Sequence, residues 1–137
     1  MKTKQVIVMR KDLKMRKGKE IAQGSHSALA FLTRKLSKDS KFEGIVWFFI
    51  KFLFRIVADK AILEWIDSSY AKICLQVNSK EELLKIYEDA KKANLECHLV
   101  VDSGKTEFHG VPTETCLCIG PDFSEKIDEI TGSLSLY

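Results

Sequence analysis

Apolar and polar positions along this chain fall into short blocks with two different periods. "KQVIVMR" (4–10) is a β-branched run, the pattern of a buried strand. From Gly18 to about Leu36 the spacing turns helical, and Ile21, Ala22, Ser25, Ala28, Leu29, Leu32 and Leu36 form one small-to-apolar face expected to pack inward. "YAKICLQV" (70–77) predicts a second strand. "NSKEELLKIYEDAKKAN" (78–94) predicts a helix opened by a capping box of Ser79 and Glu82, with Leu83, Ile86, Tyr87 and Ala90 turned to the core. "CHLVV" (97–101) and "TCLCIG" (115–120) read as third and fourth strands. Pro121 is expected to end the fourth, and "FSEKIDEI" (123–130) to form a short last helix.

Strands alternate with helices early, and two strands fall close together late. This order predicts an α/β fold: a single three-layer domain over residues 1–137, with a small mixed four-stranded sheet and helices on both faces. One segment departs from the scheme, an apolar stretch expected to be helical within about 37–60. In "IVWFFIKFLFRIV" (45–57), eleven of thirteen residues are apolar. As a helix it would span about 20 Å, too short to cross a hydrocarbon core of roughly 30 Å. Lys51 and Arg55 lie four apart and give it a narrow polar stripe. It is expected to cover the sheet in part, with its remaining aromatic surface met by a second copy in a homodimer or, as the alternative, by a membrane surface.

Composition narrows the class. Of 137 residues, 45% are apolar and 30% charged, the balance of a soluble globular protein. The net charge of +3 is unevenly spread: residues 1–20 carry eight basic side chains against Asp12 and Glu20. That surplus suits an anionic partner, a polyanion such as RNA first among them. Cys74, Cys97, Cys116 and Cys118 form no C-x-x-C pair and each sits in a strand-like run. They read as small buried apolar residues of a reducing compartment, with neither a disulfide framework nor a zinc site. The short run Val6–Met9 behind the first basic residues makes no signal peptide, so a cytoplasmic protein is expected.

Two polar clusters carry candidate chemistry. Lys19, Gln23 and His26 fall at i, i+4 and i+7 on the first helix, within roughly 60° of one another and away from Ala28 and Leu32. Gly24 sits inside that helix at a cost of about 1 kcal/mol relative to Ala, which suggests close approach by a backbone or a ligand. The column starts near the helix N-terminus, where free N–H groups favour anions. The second cluster, "DSGKTE" (102–107), directly follows the third strand, and ligands of open α/β sheets gather beyond the carboxyl ends of strands. Alone, the column would look the same as a solvated helix face, and the 102–107 cluster reads first as an ordinary turn in which Asp102 and Thr106 bond their own backbone.

Together the two clusters carry a resemblance. The chain resembles the type 2 peptidyl-tRNA hydrolases, the archaeal and eukaryotic kind with a bacterial branch. Their first block reads roughly R-x-D-L-x-M-x-x-G-K-x-x-x-Q-x-x-H. It stands here as Arg10, Asp12, Leu13, Met15, Gly18, Lys19, Gln23 and His26. The later D-x-G-x-T block is Asp102, Gly104 and Thr106, and "IGP" (119–121) is also family-like. Only about residues 37–60 lack a clear counterpart. The family often has D-A-G and a glutamine after the threonine, where this chain has Ser103 and Glu107.

The resemblance implies hydrolysis of the ester between a peptide and the 3′ ribose of tRNA, with no cofactor and no metal. His26 and Asp102 would position or activate water, and either is open as the base. Lys19 would stabilise developing negative charge. Thr106 would bind the ribose or carbonyl, or act as nucleophile. Gln23 would bind substrate, together with Gly104, Arg10 and Lys17, and the basic N-terminal segment would hold the RNA backbone. The other classes are a non-catalytic RNA- or protein-binding module on the same fold, and a hydrolase of a related aminoacyl or peptidyl ester.

Overall fold

The computed structural model describes residues 1–38, 49, 50, 53 and 59–137. Four strands form one sheet: β1 (Thr3–Arg10), β2 (Lys72–Val77), β3 (Cys97–Asp102) and β4 (Thr113–Phe123). Their order is β2-β1-β4-β3. β1 runs parallel to β2 and antiparallel to β4, which is antiparallel to β3. The sheet is therefore mixed, and the carboxyl ends of β1, β2 and β3 share one edge.

Among the described residues, the helices are α1 (Lys17–Lys38), α2 (Lys60–Asp67), α3 (Lys80–Lys92) and α4 (Ser124–Thr131). Alternation along β1 divides them between the layers. Val6 and Val8 pack with Leu83, Ile86 and Ala90 of α3 and Ile127 of α4. Ile7 and Met9 pack on the opposite face with Met15, Cys116 and Ala28 of α1. Burial on both faces explains why β1 reads as an unbroken apolar run. Phe31 of α1 meets Ile62 and Trp65 of α2 in a third cluster, its ring 6.0 Å from that of Trp65 in an edge-on contact.

The caps follow their local sequence. Ser79 accepts from the Glu82 amide at 3.1 Å, and Glu82 reaches back to the Asn78 amide at 2.8 Å. Asp59 accepts from the amides of Ala61 and Ile62 to open α2.

Four expectations need correction. Pro121 does not end the fourth strand, which continues to Phe123. The pairing with β1 shifts between Lys4 and Val6, and this irregularity accommodates a residue that has no N–H to donate. On α1 the inward face is not the apolar one: Gln23, Ser27, Ala30 and Phe31 are buried, whereas Ile21 and Leu29 are 71% and 54% exposed. Small side chains let the helix lie close to the sheet, and the polar needs of Gln23 are met inside. Gly24 marks no crowding, since an added Cβ would stand in ordinary contact 3.8 Å from Met9 Cε. Cys116 and Cys118 are buried, but Cys74 is exposed. Most of the 45–57 segment lies outside the described residues. Phe49, Ile50 and Leu53 are helical and about half exposed.

Candidate active site

β1 and β3 point the same way with β4 between them. α1 leaves the end of β1 and packs across β4 and β3, which carries its opening turns to the end of β3, where Asp102 stands. The approach to α1 is held by its own side chains. Arg10 donates to both carboxylate oxygens of Asp12 and to the Glu114 carbonyl, and Met15 plugs into the cluster of Ile7, Met9 and Cys116. In the first turn, the amides of Lys19 and Glu20 donate to the Arg16 carbonyl. Those of Lys17 and Gly18 precede any helical partner and are available to an anion.

Between α1 and the turn after β3 lies a cleft of about 520 Å³. Lys19, Gln23, His26, Asp102 and Thr106 all line it, with Arg16, Gly18, Ala22 and Glu107. Lys19 is its hub: Nζ donates to Asp102 Oδ2 at 2.5 Å and to Thr106 Oγ1 at 3.0 Å, and stands 5.7 Å from the centre of the Phe108 ring. Asp102 Oδ2 also accepts from Gln23 Nε2 at 3.0 Å, and Oδ1 from the Gly104 amide at 2.9 Å. The Lys19 hydrogen bond, aided by those from Gly104 and Gln23, holds the Asp102 carboxyl below its ordinary range against a smaller opposing effect of burial.

Gln23 is 2% exposed and spends both ends of its amide within the protein, since Oε1 accepts from Thr115 Oγ1 at 2.6 Å. Its place in the column is thus a structural one, between β4 and the Asp102 carboxylate. His26 is exposed on the cleft wall and has no hydrogen-bond partner among the described residues. Gly104 is buried in the turn, at φ +80°. Arg10 and Lys17 do not line the cleft; Arg10 is committed to Asp12 and Glu114, and Lys17 is exposed at the start of α1. His98 contacts Glu96, and His109 lies in an exposed turn. Among the described residues, no group of three or more His, Cys, Asp or Glu is placed to hold a metal ion, and no helix is long and apolar enough to cross a membrane.

Two participants escape a reading by motif. Thr115 looks like any strand threonine until α1 is laid over β4. Arg16 looks like one more basic residue, but its Nε donates to Glu107 Oε1 at 2.6 Å and its backbone amide to Oε2 at 3.4 Å. Arg16 accordingly holds the Glu107 carboxyl below its ordinary range.

An ordered ammonium, carboxylate and hydroxyl in an open cleft at the carboxyl edge of an α/β sheet define a polar site suited to acyl-ester or phosphate-bearing substrates. The particular family follows from comparison. The family model described as peptidyl-tRNA hydrolase PTH2 matches residues 3–137, and the chain belongs to that family. It is 37% identical over 134 residues to a peptidyl-tRNA hydrolase of Methanocaldococcus jannaschii, covering 97% of this chain and 98% of that one. It is 40% identical to that of Methanopyrus kandleri, covering 97% of each. A probable peptidyl-tRNA hydrolase 2 of Dictyostelium discoideum is 38% identical, across 98% of this chain and 54% of the longer relative. A solved Agrobacterium protein of unknown function shares the fold alone, with TM-score 0.55 and 9% identity over 100% of this chain and 98% of that one.

Proposed function

We propose that this protein hydrolyses the ester joining a peptide to the 3′ ribose of tRNA, releasing free tRNA and peptide. The observation that carries this reading is the position of Lys19, bonded to both Asp102 and Thr106 in the cleft of a chain of this family. An ammonium has three N–H donors. Two are spent on Asp102 and Thr106, and the third is left for the carbonyl oxygen of the substrate, where negative charge develops as water attacks. Thr106 accepts from Lys19, so its own O–H is left to donate to the ribose or the ester.

His26 is the base in this scheme. It takes a proton from water as the water oxygen bonds to the carbonyl carbon. When the tetrahedral intermediate collapses, the carbon–oxygen bond to the ribose breaks and His26 returns the proton to the departing 3′ oxygen. Asp102 suits a different task. Three donors hold its carboxylate in the ionised form, so it anchors Lys19 and makes a poor proton acceptor. Gln23 in turn orients Asp102. The exposed Lys11, Lys14 and Lys17 give the basic segment before and at the start of α1 a positive field for RNA phosphates, with binding that weakens as salt rises. The cytoplasm, where charged tRNA is used, is the proposed location.

The test is release of tRNA by the purified protein from peptidyl-tRNA and, in parallel, from aminoacyl-tRNA. Faster cleavage of the peptidyl ester is expected. Binding without turnover of either would leave the non-catalytic module, and preference for the aminoacyl ester would reassign the substrate.

We also propose a homodimer formed through the 45–57 segment. The half-exposed Ile50 and Leu53, with Ile21 and Leu29 exposed on α1, favour it. Sedimentation as a monomer at high concentration would end this reading.

A further inference from the structure

We propose that Glu107 sets how tightly substrate RNA is held, by occupying Arg16 until a phosphate displaces it; this rests on the hydrolase reading above. Arg16 and Glu107 come from opposite walls of the cleft, one from the approach to α1 and the other from the turn after β3. Glu107 holds Arg16 at two points, the guanidinium Nε and the backbone amide. The pair is asymmetric. The Glu107 side chain is seated, 14% exposed, whereas that of Arg16 is 78% exposed and reaches into solvent. The terminal guanidinium nitrogens make no hydrogen bond to a described residue, so a phosphate can first meet them from outside and then take the place of Glu107.

The charge of the cleft explains what this costs. Lys19 is paired with Asp102 and Arg16 with Glu107, so each of these cations facing an incoming polyanion is already matched by a carboxylate. Substrate must exchange a carboxylate for a phosphate at Arg16, a replacement of one charge-assisted contact by another. Replacing Glu107 with glutamine keeps the shape and a hydrogen-bond acceptor for Arg16 but leaves the guanidinium charge unmatched. Glu107 is thereby a positioning residue that acts through Arg16, and its influence falls on the affinity for RNA.

The experiment compares Glu107→Gln, Arg16→Gln and the double variant. It reads KM and kcat on peptidyl-tRNA, and the Kd of deacylated tRNA across a salt series. Glu107→Gln is expected to lower KM and Kd about tenfold at low salt, a shift well beyond any in kcat. It should also steepen the dependence of log Kd on log salt by about 0.7–0.9, the release of one further counterion. Arg16→Gln added to it should abolish the gain. An unchanged or weaker Kd in Glu107→Gln, or a gain that survives loss of Arg16, overturns the proposal, as does a wild-type protein that binds no tRNA. If the wild type binds tRNA but cleaves no peptidyl-tRNA, the hydrolase reading fails, and the Kd comparison still decides the role of Glu107.

Discussion

Thr115 on β4 donates to Gln23 Oε1 on α1 at 2.6 Å, across 92 positions of sequence. This bond determines which end of the buried amide faces Asp102, and with it the seating of Lys19. Thr115→Val keeps the shape and removes the donor, so Gln23 Oε1 is left buried without its partner. The cost is about 1–3 kcal/mol, read as a lower urea midpoint, and turnover falls with it. Thr115→Ser should recover both. A valine variant with unchanged midpoint and rate would show that the bond contributes nothing.

The roles assigned in the cleft separate by substitution. Lys19→Ala removes the donor facing the developing oxyanion and is expected to lower kcat about 10²–10³-fold. His26→Ala removes the base and should lower it about 10²–10⁴-fold. Asp102→Ala, which frees Lys19 to wander, should also lower turnover by orders of magnitude. Circular dichroism should show the fold retained in all three. Near-wild-type rates for both His26→Ala and Asp102→Ala would remove this mechanism.

Acid sensitivity follows from the direction of the Asp102 shift. Its carboxyl is lowered in the folded state, principally by the Lys19 hydrogen bond. The folded protein therefore binds this proton less readily than the unfolded chain. The associated stability is fully present above the unfolded value of about 3.9 and is lost as pH falls through the lower folded value. Urea unfolding of the wild type and of Asp102→Asn should differ by a constant amount through neutral and weakly acidic pH. The difference should shrink below the ordinary carboxylate range. A gap that stays constant into that range would mean that the Lys19 contact is not what stabilises the carboxylate.

Much of this arrangement was legible because it rests on local chemistry. The run Val6–Met9 is a strand whatever surrounds it, and Ser79 with Glu82 announces the start of α3. Lys19 and Asp102 were recognisable as members of one site through the resemblance carried by two blocks, and the sheet topology supplies the physical reason by setting the ends of β1 and β3 on one edge. The face of α1 was not legible. Hydrophobicity selects Ile21 and Leu29, but the sheet is met by Gln23, Ser27 and Ala30, whose burial depends on hydrogen bonds and close packing made by distant residues. Pro121 likewise reads as a strand terminator until the shift in pairing with β1 is known.

Two glycines should respond to alanine in opposite directions. Gly104 lies at φ +80°, and an added Cβ would stand 2.2 Å from the Val111 carbonyl oxygen and 2.6 Å from its nitrogen. Those are backbone atoms and cannot swing aside as a flexible side chain can. The same residue donates its amide to Asp102 and accepts from the amides of Phe108 and Gly110, so the turn that carries Thr106 and Glu107 is closed around it. Gly104→Ala is expected to cost at least about 1–3 kcal/mol and to lower turnover by displacing that turn. Gly24 is helical, with only the Met9 methyl in ordinary contact at 3.8 Å. Gly24→Ala should therefore stabilise the protein by about 0.5–1 kcal/mol, the helix preference for alanine. Thermal melts of the two variants test both statements. Tolerance of alanine at position 104 would mean that the turn has another way to close, and destabilisation at position 24 would mean that α1 lies closer to β1 than this packing allows.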